Sequence, residues 1–235
     1  MPTIDSSPSN NGRGSHAWCR TWAHFSIERR SVGYCRVTFD HPPMNVITAT
    51  TVVELAELVG LIEQDRDLNV VVFDSANPRF YLTTEHDSGK PSALPVGSTG
   101  TGAWPDLLVR LSRASAVSIA SIRGRVRGAG SEFVLACDLR FASRENTLLG
   151  RFEVGTGLIP GAGPTARLVR LAGRGRALEI LLVADAVDGP RAEQYGYVNR
   201  AVADDRLEDE VDRIASRLAC SDHDVIARTK SCVGR

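Results

Sequence analysis

The chain has 235 residues, 43% of them hydrophobic and 24% charged, the make-up of one fairly large soluble globular unit. Its 28 basic and 28 acidic side chains cancel, which removes the basic excess that broad nucleic-acid or membrane-surface binding needs. The longest uncharged stretch, residues 91–105, is shorter than the roughly 20 apolar residues that span a bilayer, so neither a nucleic acid nor a membrane is an expected partner.

Residues 1–24 are read as a disordered or extended tail. Pro, Ser, Asn and Gly dominate its first part, and no apolar stretch there makes a secretory signal. Two short runs, residues 25–29 and Tyr34–Phe39, flank a Ser31-Val-Gly33 turn and predict a hairpin. Val52, Leu55, Val59 and Ile62 recur at steps of three and four, which predicts a helix over residues 48–67. The apolar run Val70-Val-Val-Phe73 predicts a buried parallel strand. A helix at 105–112 and a strand at 116–122 repeat that step, and the alternation suggests right-handed strand–helix–strand units. The Gly- and Ser-rich residues 88–102 form an expected surface loop. Gly124, Gly128 and Gly130 then lead into an apolar helix at 131–136 and a strand at 139–142. Helices follow at 167–171 and 174–183, divided by Gly173, and a last one at 206–218. The expected plan is a core domain over 25–200 and a C-terminal helical segment over 201–235, with no internal repeat.

Cys19, Cys35, Cys137, Cys220 and Cys232 form no CxxC pair and are odd in number; reduced thiols in a cytoplasmic protein are expected. His16, His24, His41, His86 and His223 show no metal-ligand spacing and are read mostly as surface residues. No metal site is expected. Glu132 stands in the otherwise apolar run Ser131-Glu-Phe-Val-Leu-Ala136, where a carboxylate needs a partner or a task. Glu153 stands between Leu149-Gly-Arg-Phe and the glycine-rich Val154-Gly-Thr-Gly-Leu-Ile-Pro-Gly161. Two such carboxylates could share a water and divide acid and base work, or could sit in unrelated ion pairs. Gly128-Ala-Gly130 at a helix start offers unpaired backbone N–H groups where the dipole favours negative charge. A developing oxyanion fits there, as does a close-packed turn. No GxGxxG after a strand with an acidic partner, no GxxxxGK[ST] and no GxSxG occurs.

Four segments in order resemble the enoyl-CoA hydratase/isomerase (crotonase) superfamily. They are His41-Pro-Pro-Met-Asn45; Ile122-Arg-Gly-Arg-Val-Arg-Gly-Ala-Gly-Ser-Glu132 with Leu135-Ala-Cys-Asp-Leu-Arg-Phe-Ala-Ser143; Gly150-Arg-Phe-Glu153 through Gly157-Leu-Ile-Pro-Gly-Ala-Gly163; and Ala192-Glu-Gln-Tyr-Gly-Tyr-Val-Asn-Arg200. The resemblance implies an α/β spiral of repeated ββα units, an acyl-coenzyme A thioester as substrate, no separate cofactor, and a homotrimer or dimer of trimers. It also implies an oxyanion hole of two backbone N–H groups. Ala129 aligns with one donor. Glu85 aligns with the other if Tyr81 is the pattern's aromatic residue, and Thr84 does if Phe80 is. Thr84 stands where the family has Gly and His86 where it has Asp. Gly128, Leu82, Thr83, Gly157 and Pro160 fall on substrate-binding positions, and Glu132 and Glu153 on the two acid/base positions of the hydratases.

Retention of both glutamates implies reversible syn addition of water to a 2-enoyl-CoA. Glu132 would act as base and Glu153 would deliver the proton to C2. A Δ3,Δ2-enoyl-CoA isomerase would use Glu153 as its proton shuttle. A catalytically silent acyl-CoA-binding or assembly protein is the alternative from another class, suggested by the altered residue 84–86 loop and the Arg123-Gly-Arg-Val-Arg127 run. Family members usually continue for more helical residues than residues 230–235 leave, so either the helical tail is reduced or something is missing; a shortened tail would leave the acyl pocket more open and weaken oligomerisation.

Overall fold

The structure is a computed structural model that describes Trp18, residues 20–84 and residues 97–233. The expected tail over the first residues and most of the expected 88–102 loop lie outside the described residues. The hairpin is present: β1 (Phe25–Ser31) runs antiparallel to β2 (Tyr34–Phe39). The chain before it is anchored. Trp18 and Trp22 are buried in the main core, so the packed unit starts upstream of residue 25.

Helix α1 (Ala49–Gln64) opens on a capping box between Thr48 and Thr51, which satisfies N–H groups that a helix start leaves unpaired. It stops at Asp65, short of the expected residue 67. Its Val52, Leu55, Val59 and Ile62 are buried as the spacing predicts. Next come β3 (Val70–Ser75), β4 (Phe80–Leu82), α2 (Ala103–Arg113), β5 (Val117–Arg127), α3 (Ala129–Ala136) and β6 (Leu139–Gly150). β2, β3, β5 and β6 are parallel neighbours in one eight-stranded sheet.

Both β5 and β6 run well past their expected ends at 122 and 142. The cause is a register shift at Gly124, whose φ of +72° favours glycine. Residues 117–120 pair with β3, and residues 125–126 pair with β4. On the other side, residues 119–122 and 124–127 of β5 meet residues 139–142 and 147–150 of β6. Each long strand is therefore two strands in series. β3–β4–α2, the halves of β5 with α3, and the halves of β6 with the helices after it are successive ββα units. These are the repeated ββα units that the resemblance implies, carried by the backbone and not by any repeat in the residue pattern.

After β6 come a 3₁₀ turn (Val154–Thr156), α4 (Pro164–Ala172), and α5 (Arg174–Leu178), which runs into a π turn at Glu179–Val183. They are followed by β7 (Val187–Asp188), α6 (Gly189–Tyr195), β8 (Arg200–Val202), α7 (Leu207–Ala219) and α8 (His223–Val233). β3 is buried on both faces. Val71 and Phe73 face the core shared with α1, α2 and α3, and Val70 and Val72 face a second core closed by Leu207, Val211 and Ala215 of α7. No helix among the described residues is long and apolar enough to cross a membrane.

His24, His41 and His223 are half-buried. His24 stacks on His41 at 3.7 Å, and His223 bonds Asn69 at 3.0 Å; His16 and His86 lie outside the described residues. Cys35 and Cys137 are buried and Cys220 and Cys232 exposed, all four as free thiols.

Candidate active site

Gly128 ends β5 with φ +55° and ψ −120°, a backbone state that only glycine holds without strain. The chain enters α3 at once. A Cβ on Gly130 would lie 2.0 Å from the carbonyl oxygen of Leu82, so the first turn of α3 packs directly on the end of β4. That approach sets the N-terminus of α3 beside Thr84. The Ala129 N–H donates to the Thr84 hydroxyl at 3.0 Å. Thr84 is thus next to the expected oxyanion donor, through its side chain. Glu85 lies outside the described residues.

Glu132 sits in the first turn of α3 and is buried. Its Oε2 accepts from Nε1 of Trp104, on α2, at 2.8 Å, and its Oε1 accepts from Nη2 of Arg151 at 3.3 Å. Glu153 follows the end of β6. Its Oε1 meets the same Arg151 Nη2 at 2.6 Å, and its Oε2 accepts from the Phe152 N–H at 3.0 Å. The two carboxylates therefore face each other across one nitrogen atom. The arginine's other arm, Nη1, donates to the Gly128 carbonyl at 2.9 Å. Burial pushes the Glu132 carboxyl above its usual range. Trp104 and Arg151 oppose that shift, and the charge on Glu153 adds to it. Tyr197 backs the helix: it is fully buried, and its hydroxyl bonds that of Ser131.

The other expected positions are more dispersed. Leu82 is buried in the core, with its carbonyl against Gly130. Thr83 spends its N–H, carbonyl and hydroxyl on Asn45, Ile47 and Met44. Gly157 and Pro160 lie on the loop after the 3₁₀ turn, which starts from the Glu153 carbonyl through the N–H groups of Thr156 and Leu158. Leu158 and Ile159 are exposed there. Two open surface cavities, one beside Arg144 and Arg200 and one beside Asp40 and Arg79, include neither glutamate. Among the described residues no group of His, Cys, Asp and Glu could hold a metal ion.

Sequence reasoning missed Arg151 and Trp104. Arg151 carried no signal: it and Glu153 both lie past the end of β6, where strand alternation does not apply. Trp104 carried none, because its contact with Glu132 is purely tertiary.

Residues 29–235 match the family model described as enoyl-CoA hydratase/isomerase, and the chain belongs to that family. Its fold is the crotonase fold. The chain is 30% identical over 176 residues to the crotonyl-CoA hydratase of Syntrophomonas wolfei, covering 74% of this chain and 67% of that protein. The crystal structure of a candidate enoyl-CoA hydratase from Streptomyces avermitilis superimposes with a TM-score of 0.82 at 40% identity, covering 91% of this chain and 78% of the other. A candidate enoyl-CoA hydratase from Thermobifida fusca, solved in complex with CoA, gives a TM-score of 0.77 at 27% identity, covering 94% and 86%.

Proposed function

We propose that the protein is an enoyl-CoA hydratase, adding water reversibly and syn across the C2–C3 double bond of a 2-enoyl-CoA thioester. The observation that carries this reading is the meeting of Glu132 and Glu153 on one nitrogen of Arg151, beside the N-terminus of α3. Two carboxylates so placed can hold one water between them. The thioester oxygen would take the Ala129 N–H in place of the Thr84 hydroxyl, with the N–H of Glu85, or of Thr84 itself, as second donor. Gly128, Leu82, Thr83, Gly157 and Pro160 would border the bound thioester.

As the water oxygen adds to C3, Glu132 accepts its proton and charge grows on the thioester oxygen. Glu153, in its acid form, gives a proton to C2. The proton on Glu132 returns to Glu153 before the next turnover, so the sum is one water added. The loss of one oxyanion donor typically costs about 2.7–4 kcal/mol. No cofactor enters the scheme, since coenzyme A is part of the substrate. Assembly as a homotrimer or dimer of trimers belongs to the same proposal, and light scattering after size-exclusion tests it.

The deciding assay follows the loss of enoyl absorbance with crotonyl-CoA for the wild type, E132Q and E153Q. Each variant is expected to lose at least about a hundredfold in kcat, in the range of general acid–base contributions, and to keep its affinity for the thioester. Full hydration by E132Q overturns the proposed role of Glu132. Turnover of a 3-enoyl-CoA without hydration points to an isomerase instead.

A further inference from the structure

We propose that Arg151 is the positioning residue of this site: it fixes the two carboxylates against each other and against the turn that presents the Ala129 N–H, and it sets the charge they carry when water attacks C3. The proposal rests on the hydratase reading of Glu132 and Glu153 and extends it to a fully buried residue between them.

The Arg151 side chain is 0% exposed. One arm holds the Gly128 carbonyl, the residue that joins β5 to α3. The other arm touches Glu132 and Glu153 together. A single planar group thus ties the β5–α3 turn, the first turn of α3 and the end of β6 into one unit. Only a guanidinium offers rigid donors in two directions with a fixed charge. A lysine would carry the charge without the fork, and a glutamine would carry neither the charge nor both arms.

Stability does not account for this arrangement. Buried ion clusters seldom add net stability over well-packed apolar side chains. Among the described residues, this one also leaves the Arg151 Nε buried without a hydrogen-bond partner. What the cluster does supply is order among groups that must share one water. Two carboxylates this close repel, and burial penalises the charge on Glu132. The cation between them offsets both effects.

The groups acting on the pair can be named by element. Trp104 donates from α2, and Arg167 of α4 adds positive charge near Glu132. Tyr197 lies beside Arg151 and Glu153, with Arg140 behind it. Of the cations, Arg151 alone bonds both carboxylates among the described residues.

The test uses the full chain with R151Q and R151K. Steady-state hydration of crotonyl-CoA is measured across pH, and the carboxyl carbons of protein labelled with 13C-glutamate are titrated by NMR. In R151Q, kcat is expected to fall about a hundredfold, the cost of a small misplacement. KM should stay within about threefold, since the lost order concerns the transition state. The acid limb should move up by about one pH unit, because a neighbouring cation is gone. R151K should return the limb to its wild-type position without restoring kcat.

Wild-type kcat and limb in R151Q would overturn the proposal, as would equal limb shifts in both variants. Should R151Q lose its near-ultraviolet circular dichroism through misfolding, R151K decides, and wild-type kcat there overturns the proposal. A wild type that hydrates no enoyl-CoA defeats the hydratase reading instead. The NMR titration then judges Arg151 alone: an upward move of the pair in R151Q supports its electrostatic role, and no move overturns it.

Discussion

Trp104 and Glu132 show how one hydrogen bond tunes a buried acid. The indole N–H meets Oε2 at 2.8 Å and opposes the upward push of burial on the carboxyl. W104F keeps an aromatic ring and removes the donor. The Glu132 carboxyl should then rise further, and activity that needs it ionised should fade at a higher pH on the acid side. Hydration rates across pH check this, and an unmoved acid limb would contradict it. A hydrogen bond to a charged acceptor contributes about 1.5–3 kcal/mol, so a lower urea midpoint is also expected at neutral pH. The linkage has a definite sign. A raised carboxyl favours the folded state fully below the ordinary carboxylate range, and that contribution is lost as pH rises through the raised value. At this scale the sequence was partly legible. Glu132, Glu153 and Ala129 stand in contiguous motifs whose pattern survives in a single chain. Arg151 was readable only as one arginine among many, since its role depends on which carbonyl and which carboxylates it meets in space.

The segment before β1 is docked on α1 by polar contacts that hydrophobic patterning does not register. Glu54 accepts from the N–H groups of Ala23 at 2.7 Å and His24 at 3.0 Å. His24 bonds the Thr51 hydroxyl at 2.8 Å and stacks on His41, whose ring bonds the Val46 carbonyl. Burial, and then the charge of His41, lower the His24 pKa, while Glu54 opposes them. Stability from this contact is present above about pH 6.5, the ordinary histidine value. It is lost as pH falls below that point through the lowered folded value. H24N should therefore flatten the fall in Tm between about pH 7.5 and 5.5; an unchanged slope in thermal scans would contradict the assignment. Helices with a clear apolar stripe, such as α1, were legible to within a few residues. β4 and β7 were not: at three and two residues they are too short for periodicity, and their pairing partners are remote. The end of β5 was hidden because Arg123, Arg125 and Arg127 read as a charge run. They are the less buried positions of a strand that alternates with buried Gly124 and Val126.

Across the molecule, Arg36 of β2 joins the sheet to α7. Its buried guanidinium pairs with Asp74 of β3 and, at 2.6 Å, with Asp212 of α7, which also accepts from the Tyr34 hydroxyl at 2.5 Å. Burial raises the Asp74 carboxyl even against the pull of Arg36. R36L would strand that carboxylate, and losing one partner of a buried pair costs about 3–5 kcal/mol. The loss should shrink as pH falls and Asp74 takes up a proton. Urea midpoints of wild type and R36L near about pH 7 and pH 4 check both parts; an equal loss at both would contradict the role given to Asp74. The fold class was legible in the sequence through alternating strand and helix patterns. The second core was not, because it depends on α7 folding back over β3 from far along the chain.

Trp104, Glu132, Arg151 and Glu153 all come from one stretch of chain, between the start of α2 and the turn after β6. The cost of closing a loop grows with its length, and contacts of short sequence separation form fastest. α7 joins the sheet only after some fifty further residues. On a chain emerging from the ribosome, the carboxylates, their arginine and the tryptophan are all present before the helix that closes the second core has been made. The site's chemistry is therefore written early in synthesis, and α7 arrives as a later brace behind it.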